Sequence, residues 1–306
     1  MSSSLPIALP RQIQDSVASL QSLLCNSLVS IHSKRAYLKA FENFVELSEE
    51  SNRPVSRALM MEYRAAMINQ GLSASTINVR LSGVRKLIRE ARDNGLLDPT
   101  QAERITSVVG VPVHGKRLGN WLTEQQTREL LAVPDRTRLK GKRDFAILSV
   151  LACCALRRDE LATLDMKRLQ LREGRWVIAD LVGKGGRIRT VPLPISAKDA
   201  IDSWTSATNI ISGPVFRRLS KSGRVLVGKL SGWAIWDMVK TSAHVIGVEN
   251  FGAHDLRRTC ARLCRQKGGE LEQIQFLLGH ESIETTERYL GSRQEIAVAV
   301  NDGLGL

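Results

Sequence analysis

Apolar residues recur at helical spacing through the first hundred positions. Tyr37, Phe41, Phe44 and Val45 share one face of a helix that Ser33 can open as its cap. Ile77, Leu81, Val84, Ile88 and Ala91 fall within about 80° of arc at 100° per residue, a core-facing stripe. Ser75 is the candidate cap of that helix and Gly95 its stop. A third helical stretch runs from about Leu59 to Asn69. The pattern then breaks. Residues 108–120 read VVGVPVHGKRLGN, with three glycines, a proline and no long period, which predicts an interdomain linker.

Beyond it the periods are mixed. Thr123 with Gln126 makes a capping box for a short helix. Phe145 to Leu156 is almost wholly apolar and reads as a buried helix. Arg175–Val182 and Ile188–Leu193 are rich in Val and Ile and read as strands, joined by a turn at Gly183-Lys184-Gly185-Gly186. Helices resume at Ser231. The expected fold is mostly α with a small antiparallel β-sheet. It comprises a helical N-terminal domain over 1–107, a linker over 108–120, and a mixed α+β domain over 121–306.

Composition changes this picture in one respect. The 43% apolar and 25% charged residues are ordinary for a globular chain, but 44 Lys and Arg face 31 Asp and Glu, a net charge of +13. Both predicted domains share the excess, so a basic tail does not account for it. A polyanionic partner is indicated: DNA, RNA or an anionic membrane surface. Phe145–Leu156 is too short to span a bilayer, and MSSSLPIALPRQ lacks the basic leader of a secretory signal. The five cysteines include no C-x-x-C pair. Neither a disulfide framework nor a zinc site is expected, and a reducing cytoplasm fits.

Three clusters in the second part could carry chemistry. Arg157 and Glu160 are i,i+3 neighbours after the apolar run, an arrangement that also suits a plain surface ion pair. His254 and Arg257 lie together at a predicted helix start, away from the Leu256–Cys260–Leu263 stripe. They suit a phosphate, or simply a capped helix start with solvated cations. Cys260 and Cys264, at i,i+4, fit a metal or a core face. Leu271, Ile274 and Leu278 form a helical face that Gly279 can end, and Ser282 can cap the next helix. His280 then sits in a sharp turn. Tyr289 lies two turns further on, either as a reactive phenol or as a half-buried aromatic with its hydroxyl bonded.

The stretches ALRRDEL, LVGKGGRIRTVPL, HDLRRT and LLGHESIETTERYL, in this order and spacing, resemble the tyrosine recombinase (phage-type integrase) family. The resemblance covers about Leu122 to Leu290, and more loosely residues 14–98, which look like that family's helical core-binding (SAM-like) domain. It implies a transesterification on DNA without metal or other cofactor. Tyr289 matches the nucleophile that forms a 3′-phosphotyrosyl link. Arg157 and Arg257 match the arginines that clamp the phosphate, His254 the general acid/base, and Lys184 the acid for the leaving 5′-oxygen. His280 matches a third phosphate contact, and Glu160 a supporting carboxylate. Two departures concern packing: Cys154-Ala155 stands where Thr-Gly is frequent, and Arg258 where His is frequent.

The resemblance also implies double-stranded DNA with inverted-repeat core sites as partner. Four protomers would assemble on it, identical or mixed with a related recombinase, and no membrane would be involved. Lys34, Arg35, Arg80, Arg85, Arg89 and Arg92 are the candidate DNA contacts in the first part, with a solvated charged face as the other reading of each. Little precedes the first predicted helix, which fits a simple-site, Xer-like member without an arm-binding domain. The tail GSRQEIAVAVNDGLGL would pack into a neighbouring subunit or back onto its own. DNA relaxation of the type IB topoisomerase kind, and a non-catalytic DNA-binding protein of the same fold, are the competing functions.

Overall fold

The structure, a computed structural model, describes residues 21–28, 31–113, 120–183 and 186–291. Lys184, most of the expected linker's second half and the tail from residue 292 lie outside the described residues. The chain divides into two compact units, Met1–Lys116 and Arg117–Leu306.

The first unit is helical: α1 (Ile31–Glu50), α2 (Arg57–Asn69), α3 (Ala74–Asp93) and α4 (Pro99–Thr106). Its core is the stripe expected from the sequence, with Ile77, Leu81, Val84 and Ile88 packed against Ala40, Phe44, Leu59, Met60 and Met67. Phe44 and Tyr63 meet edge to face at 5.4 Å, and the buried Tyr63 hydroxyl donates to the Ala40 carbonyl at 3.1 Å.

Both serine caps move. Helix α1 already begins at Ile31, so Ser33 lies inside its first turn. Helix α3 is capped by Ser73, whose side chain accepts from the Thr76 N–H. In Ser73-Ala74-Ser75-Thr76 either serine satisfies a cap, and the earlier one lets two more residues join the helix. Gly95 follows the end of α3 in the left-handed region, as expected. The segment expected as linker starts attached. Val108 is buried in the helical core, and Asn78 holds Val111 through two 2.8 Å hydrogen bonds.

In the second unit the capping box at Thr123 and Gln126 opens α5 (Glu124–Ala132). The apolar run lies in α6 (Leu139–Cys154), a central helix buried on nearly all sides. After it come the short α7 (Arg158–Ala162), a 3₁₀ turn, and an antiparallel sheet in the order β1 (Leu169–Arg172), β2 (Arg175–Val182), β3 (Ile188–Pro192). Ile178 pairs with both Leu169 and Val191, and a register shift between Ile178 and Leu181 bends β2.

Helix α8 (Ile195–Thr208) and the hairpin β4 (Arg217–Leu219)–β5 (Val225–Lys229) were not expected from the sequence. Helix α8 buries Trp204, whose indole N–H donates to Val215 at 2.8 Å. The last elements are α9 (Gly232–Val245, capped by Ser231), α10 (Ala253–Gln266), α11 (Leu271–Leu278) and α12 (Ile283–Leu290). Among the described residues no helix is long and apolar enough to cross a membrane.

Candidate active site

Helix α6 stops because Ala155 takes the left-handed conformation, φ 50° and ψ 33°. This is the position where the resemblance led to an expected glycine; a glycine adopts that conformation freely and an alanine at a cost of about 1–2 kcal/mol. The chain turns there, and Arg157 becomes the extended residue that opens α7. Glu160 accepts from the Arg157 backbone N–H and from its guanidinium, both at 2.8 Å. A backbone-to-carboxylate cap thus fixes the arginine's base and an ion pair aims its head.

Glu160 is held from the other side as well. Arg189, on β3, binds both its carboxylate oxygens at 2.9 and 2.8 Å. The same guanidinium donates through Nε to the Leu277 carbonyl at 3.2 Å. Burial would push the Glu160 carboxyl up, but hydrogen bonds and charge from Arg189, then Arg157, outweigh it and hold it at about 2. Arg189 was missed in the sequence. The only signal was its place two residues beyond Arg187 in the GKGGRIRT stretch.

Of the two readings open for Arg257, a phosphate contact or a solvated cation, the second does not hold: the residue is 1% exposed. Its two terminal nitrogens donate to the carbonyls of Ala155 and Leu278. Ala155 is itself the left-handed residue that ends α6, and Leu278 immediately precedes left-handed Gly279, so both carbonyls lie at helix ends, where helix bonding stops. Burial pulls the Arg257 pKa down to about 10, which leaves it charged at neutral pH. Two arginines therefore tie together four sequence stretches: Arg257 joins ALRRDEL, HDLRRT and LLGHES, and Arg189 joins GRIRT to Glu160 and to α11.

Gly279 ends α11 at φ 62°. A Cβ there would come within 2.9 Å of Arg189 Cδ, so the turn needs glycine for both its conformation and its space. The turn presents His280, whose Nδ1 lies 3.1 Å from the buried Thr286 hydroxyl. Ser282 then caps α12, which carries Tyr289.

Tyr289 stands among the other groups. Its ring centroid is 5.6 Å from that of His254 and 5.1 Å from that of His280, both edge to face. Its hydroxyl reaches the His254 carbonyl at 3.4 Å. Burial raises the phenol's pKa, and the charges of Arg257 and Arg258 oppose that rise. Burial also lowers the His254 pKa, with help from Arg258, Arg257 and Arg157. His280 is pushed down to about 4 by burial and by Arg257 and Arg157. Both imidazoles are therefore neutral at pH 7 and able to accept a proton.

Arg157 and His254 also line a cleft of about 550 Å³ with Trp236, Lys240 and Phe251. On the hairpin, Gly183 lies against the arginines, and a Cβ there would be 3.2 Å from an Arg157 terminal nitrogen. Lys184, the next residue, is outside the described residues.

The cysteines at i,i+4 lie along the packed face of α10, with Cys260 buried beside Ile274 and Leu278. The N-terminal candidates differ among themselves. Arg35, Arg89 and Arg92 are exposed, and Lys34 and Arg80 are half-buried. Arg92 pairs with Asp93 at 2.8 Å. Arg85 donates to the Val108 carbonyl, which gives it a structural partner within its own unit.

Two family models match the chain: the phage integrase family over residues 120–295, and the phage integrase N-terminal SAM-like domain over residues 20–95. The tyrosine recombinase XerC of Thermodesulfovibrio yellowstonii is 30% identical over 269 residues, covering 85% of each chain. The XerH site-specific recombinase bound to its difH substrate has a similar fold, with TM-score 0.65 and 19% identity over 89% of this chain and 80% of that one. So does a lambda integrase dimer bound to a core site, with TM-score 0.66 and 16% identity over 92% and 96%. With one family model spanning more than half its length and a relative 30% identical across 85% of the chain, the chain belongs to the phage integrase family, the tyrosine recombinases, enzymes that cleave and rejoin DNA.

Proposed function

We propose that the chain carries out site-specific recombination on double-stranded DNA through a 3′-phosphotyrosyl intermediate formed at Tyr289. The observation that carries this reading is the convergence of Tyr289, His254, His280 and Arg257, with Arg157, held by Glu160, near enough for its charge to act on His254, Arg257 and His280. A phosphodiester under attack gathers charge on its non-bridging oxygens, and planar guanidinium groups bind two such oxygens at once.

Arg157 and Arg257 clamp the phosphate, and His280 donates to it once the anion's charge has drawn a proton onto the ring or turned its N–H toward it. His254, neutral in the free protein, takes the phenol proton. Tyr289 Oη then bonds to phosphorus as the bond to the 5′-oxygen breaks, and Lys184 protonates that oxygen. The new ester keeps the phosphodiester's bond energy, so the reverse attack rejoins the strands without a cofactor.

In this reading residues 1–107 form a core-binding domain, 108–120 a connector and 121–306 the catalytic domain. The partner is duplex DNA with inverted-repeat core sites, on which four protomers assemble, alone or with a related recombinase. The setting is the cytoplasm, and the biological task is integration, excision or resolution of a mobile element or replicon. The basic surface, including Lys34, Arg35, Arg80, Arg89 and Arg92, supplies phosphate contacts.

A nicked suicide substrate carrying the core site tests the reading. The wild-type chain should form a covalent complex in EDTA, and Tyr289→Phe should form none. Trapping that persists in Tyr289→Phe would refute the nucleophile. A DNA with two core sites should undergo strand exchange; relaxation without exchange would instead point to topoisomerase-like activity.

A further inference from the structure

Arg258 has no part in the mechanism above. It follows the buried Arg257 on α10, and its guanidinium carbon lies 5.2 Å from the centre of the Tyr289 ring. Its Nε is buried and has no hydrogen-bond partner among the described residues. A buried guanidinium N–H left without an acceptor is costly in a resting protein and is explained when an anion arrives during function.

The neighbouring arginines have protein partners in the resting site and the phosphate in the proposed reaction. Arg257 donates from its terminal nitrogens to the Ala155 and Leu278 carbonyls. Arg157 is paired with Glu160. The other titratable groups around the phenol are His254 on the same helix and His280 on the turn before α12, both neutral at pH 7. Asp255 feels the charge of Arg258, but it caps its own helix by accepting from the Gly252 N–H at 3.0 Å.

We propose that Arg258 is a further catalytic residue, whose guanidinium stabilises the negative charge on Tyr289 Oη as the phenol attacks and again as it leaves. The proposal rests on the reading of Tyr289 as nucleophile. In the forward step the Oη–phosphorus bond forms, the phosphorus–O5′ bond breaks, the phenol proton goes to His254, and the 5′-oxygen is protonated by Lys184. Arg258 moves no proton; it lowers the energy of the phenolate-like oxygen. The same stabilisation makes Tyr289 a better leaving group during rejoining. Consistent with this, Arg257 and Arg258 are the two residues whose charge counters the rise that burial imposes on the phenol.

The test is single-turnover cleavage of the suicide substrate by the full chain across a range of pH, at saturating protein. Wild type is compared with Arg258→Lys, Arg258→Gln and Tyr289→Phe. Arg258→Gln should cleave about tenfold or more slowly near neutral pH, the size expected for removing a desolvated cation from an aromatic anion. It should recover as pH rises, with the profile displaced upward by about one unit. Arg258→Lys keeps the charge and should stay within a few-fold of wild type with the profile in place.

An Arg258→Gln variant with wild-type rate and profile overturns the proposal. So does equal loss in Lys and Gln variants with no displacement, which would mark Arg258 as packing alone. If Arg258→Gln fails to fold by circular dichroism, Arg258→His takes its place, with the same loss expected near pH ~7.5, where an ordinary imidazole is mostly neutral, and the same recovery as pH rises further. Absence of a Tyr289-dependent covalent complex in wild type would remove the underlying reading instead, so the two failures are distinguishable.

Discussion

Replacing Glu160 by Gln removes one negative charge and leaves the side chain's shape nearly unchanged. The carboxylate is buried, and it takes two bonds from Arg157 and two from Arg189 at 2.8–2.9 Å. Arg189 is itself largely buried, so the amide would face a desolvated guanidinium with an NH₂ group where an oxygen is required. The folded carboxyl sits at about 2 against an ordinary 4.5. That shift of roughly 2.5 units corresponds to about 3 kcal/mol of stability at neutral pH. Breaking a buried pair by removing one partner costs a similar ~3–5 kcal/mol.

For a unit of this size the loss should lower the melting temperature by roughly 6–12 °C. The pH dependence has a definite sign. The folded value is depressed, so the stabilisation is complete above about pH 4.5 and is lost as pH falls toward about 2. Thermal melts of wild type and Glu160→Gln should differ most at pH 7, and more than half the difference should be gone by about pH 3. Adding Arg189→Met to Glu160→Gln removes the stranded charge and should recover part of the loss. A Glu160→Gln variant that melts within 2 °C of wild type at pH 7, or a gap that does not narrow with acid, would refute this account.

Two further outcomes follow from the geometry. Gly279→Ala combines a left-handed backbone with a Cβ against Arg189 Cδ, and should cost about 1–2 kcal/mol or more in denaturant melts while slowing DNA cleavage through the His280 turn. Arg85 and Arg89 should separate: Arg85→Ala loses its bond to Val108 and should destabilise the helical unit by about 1 kcal/mol, whereas Arg89→Ala should leave melting unchanged and reduce the salt slope of DNA binding by about one.

Much of the chain is legible locally. The stripe on α3, the capping box at Thr123, the bounds of β2, the resumption of helix at Ser231 and the Gly279–Ser282 stop and restart all depend on residues within a turn or two of one another. Where local signals compete, the reading slips. Ser73 and Ser75 are equally good caps, and the choice between them adds or removes half a turn of helix. Helix α8 has no strong stripe in ISAKDAIDSWTSAT and is held by tertiary burial of Ala197, Ala200, Ile201 and Trp204.

The sequence by itself determined the kinds of chemistry available: the phenol of Tyr289, two histidines, and arginines in motifs whose order resembles one family. It also determined that Gly279 breaks a helix. Only the tertiary structure decided which cations are structural and which face the phenol. The sequence left Arg257 open between a phosphate contact and a solvated cation; it is buried, because the turns at Ala155 and Gly279 expose carbonyls that no local rule assigns to a partner. Arg189 gave little sign of itself, because its importance lies in bonds to Glu160 and Leu277, 29 and 88 residues away. A hydrogen-bond acceptor contributed from such distances leaves no period and no spacing in the chain. It exists only once the core of α6 and the sheet have packed and brought the turns together.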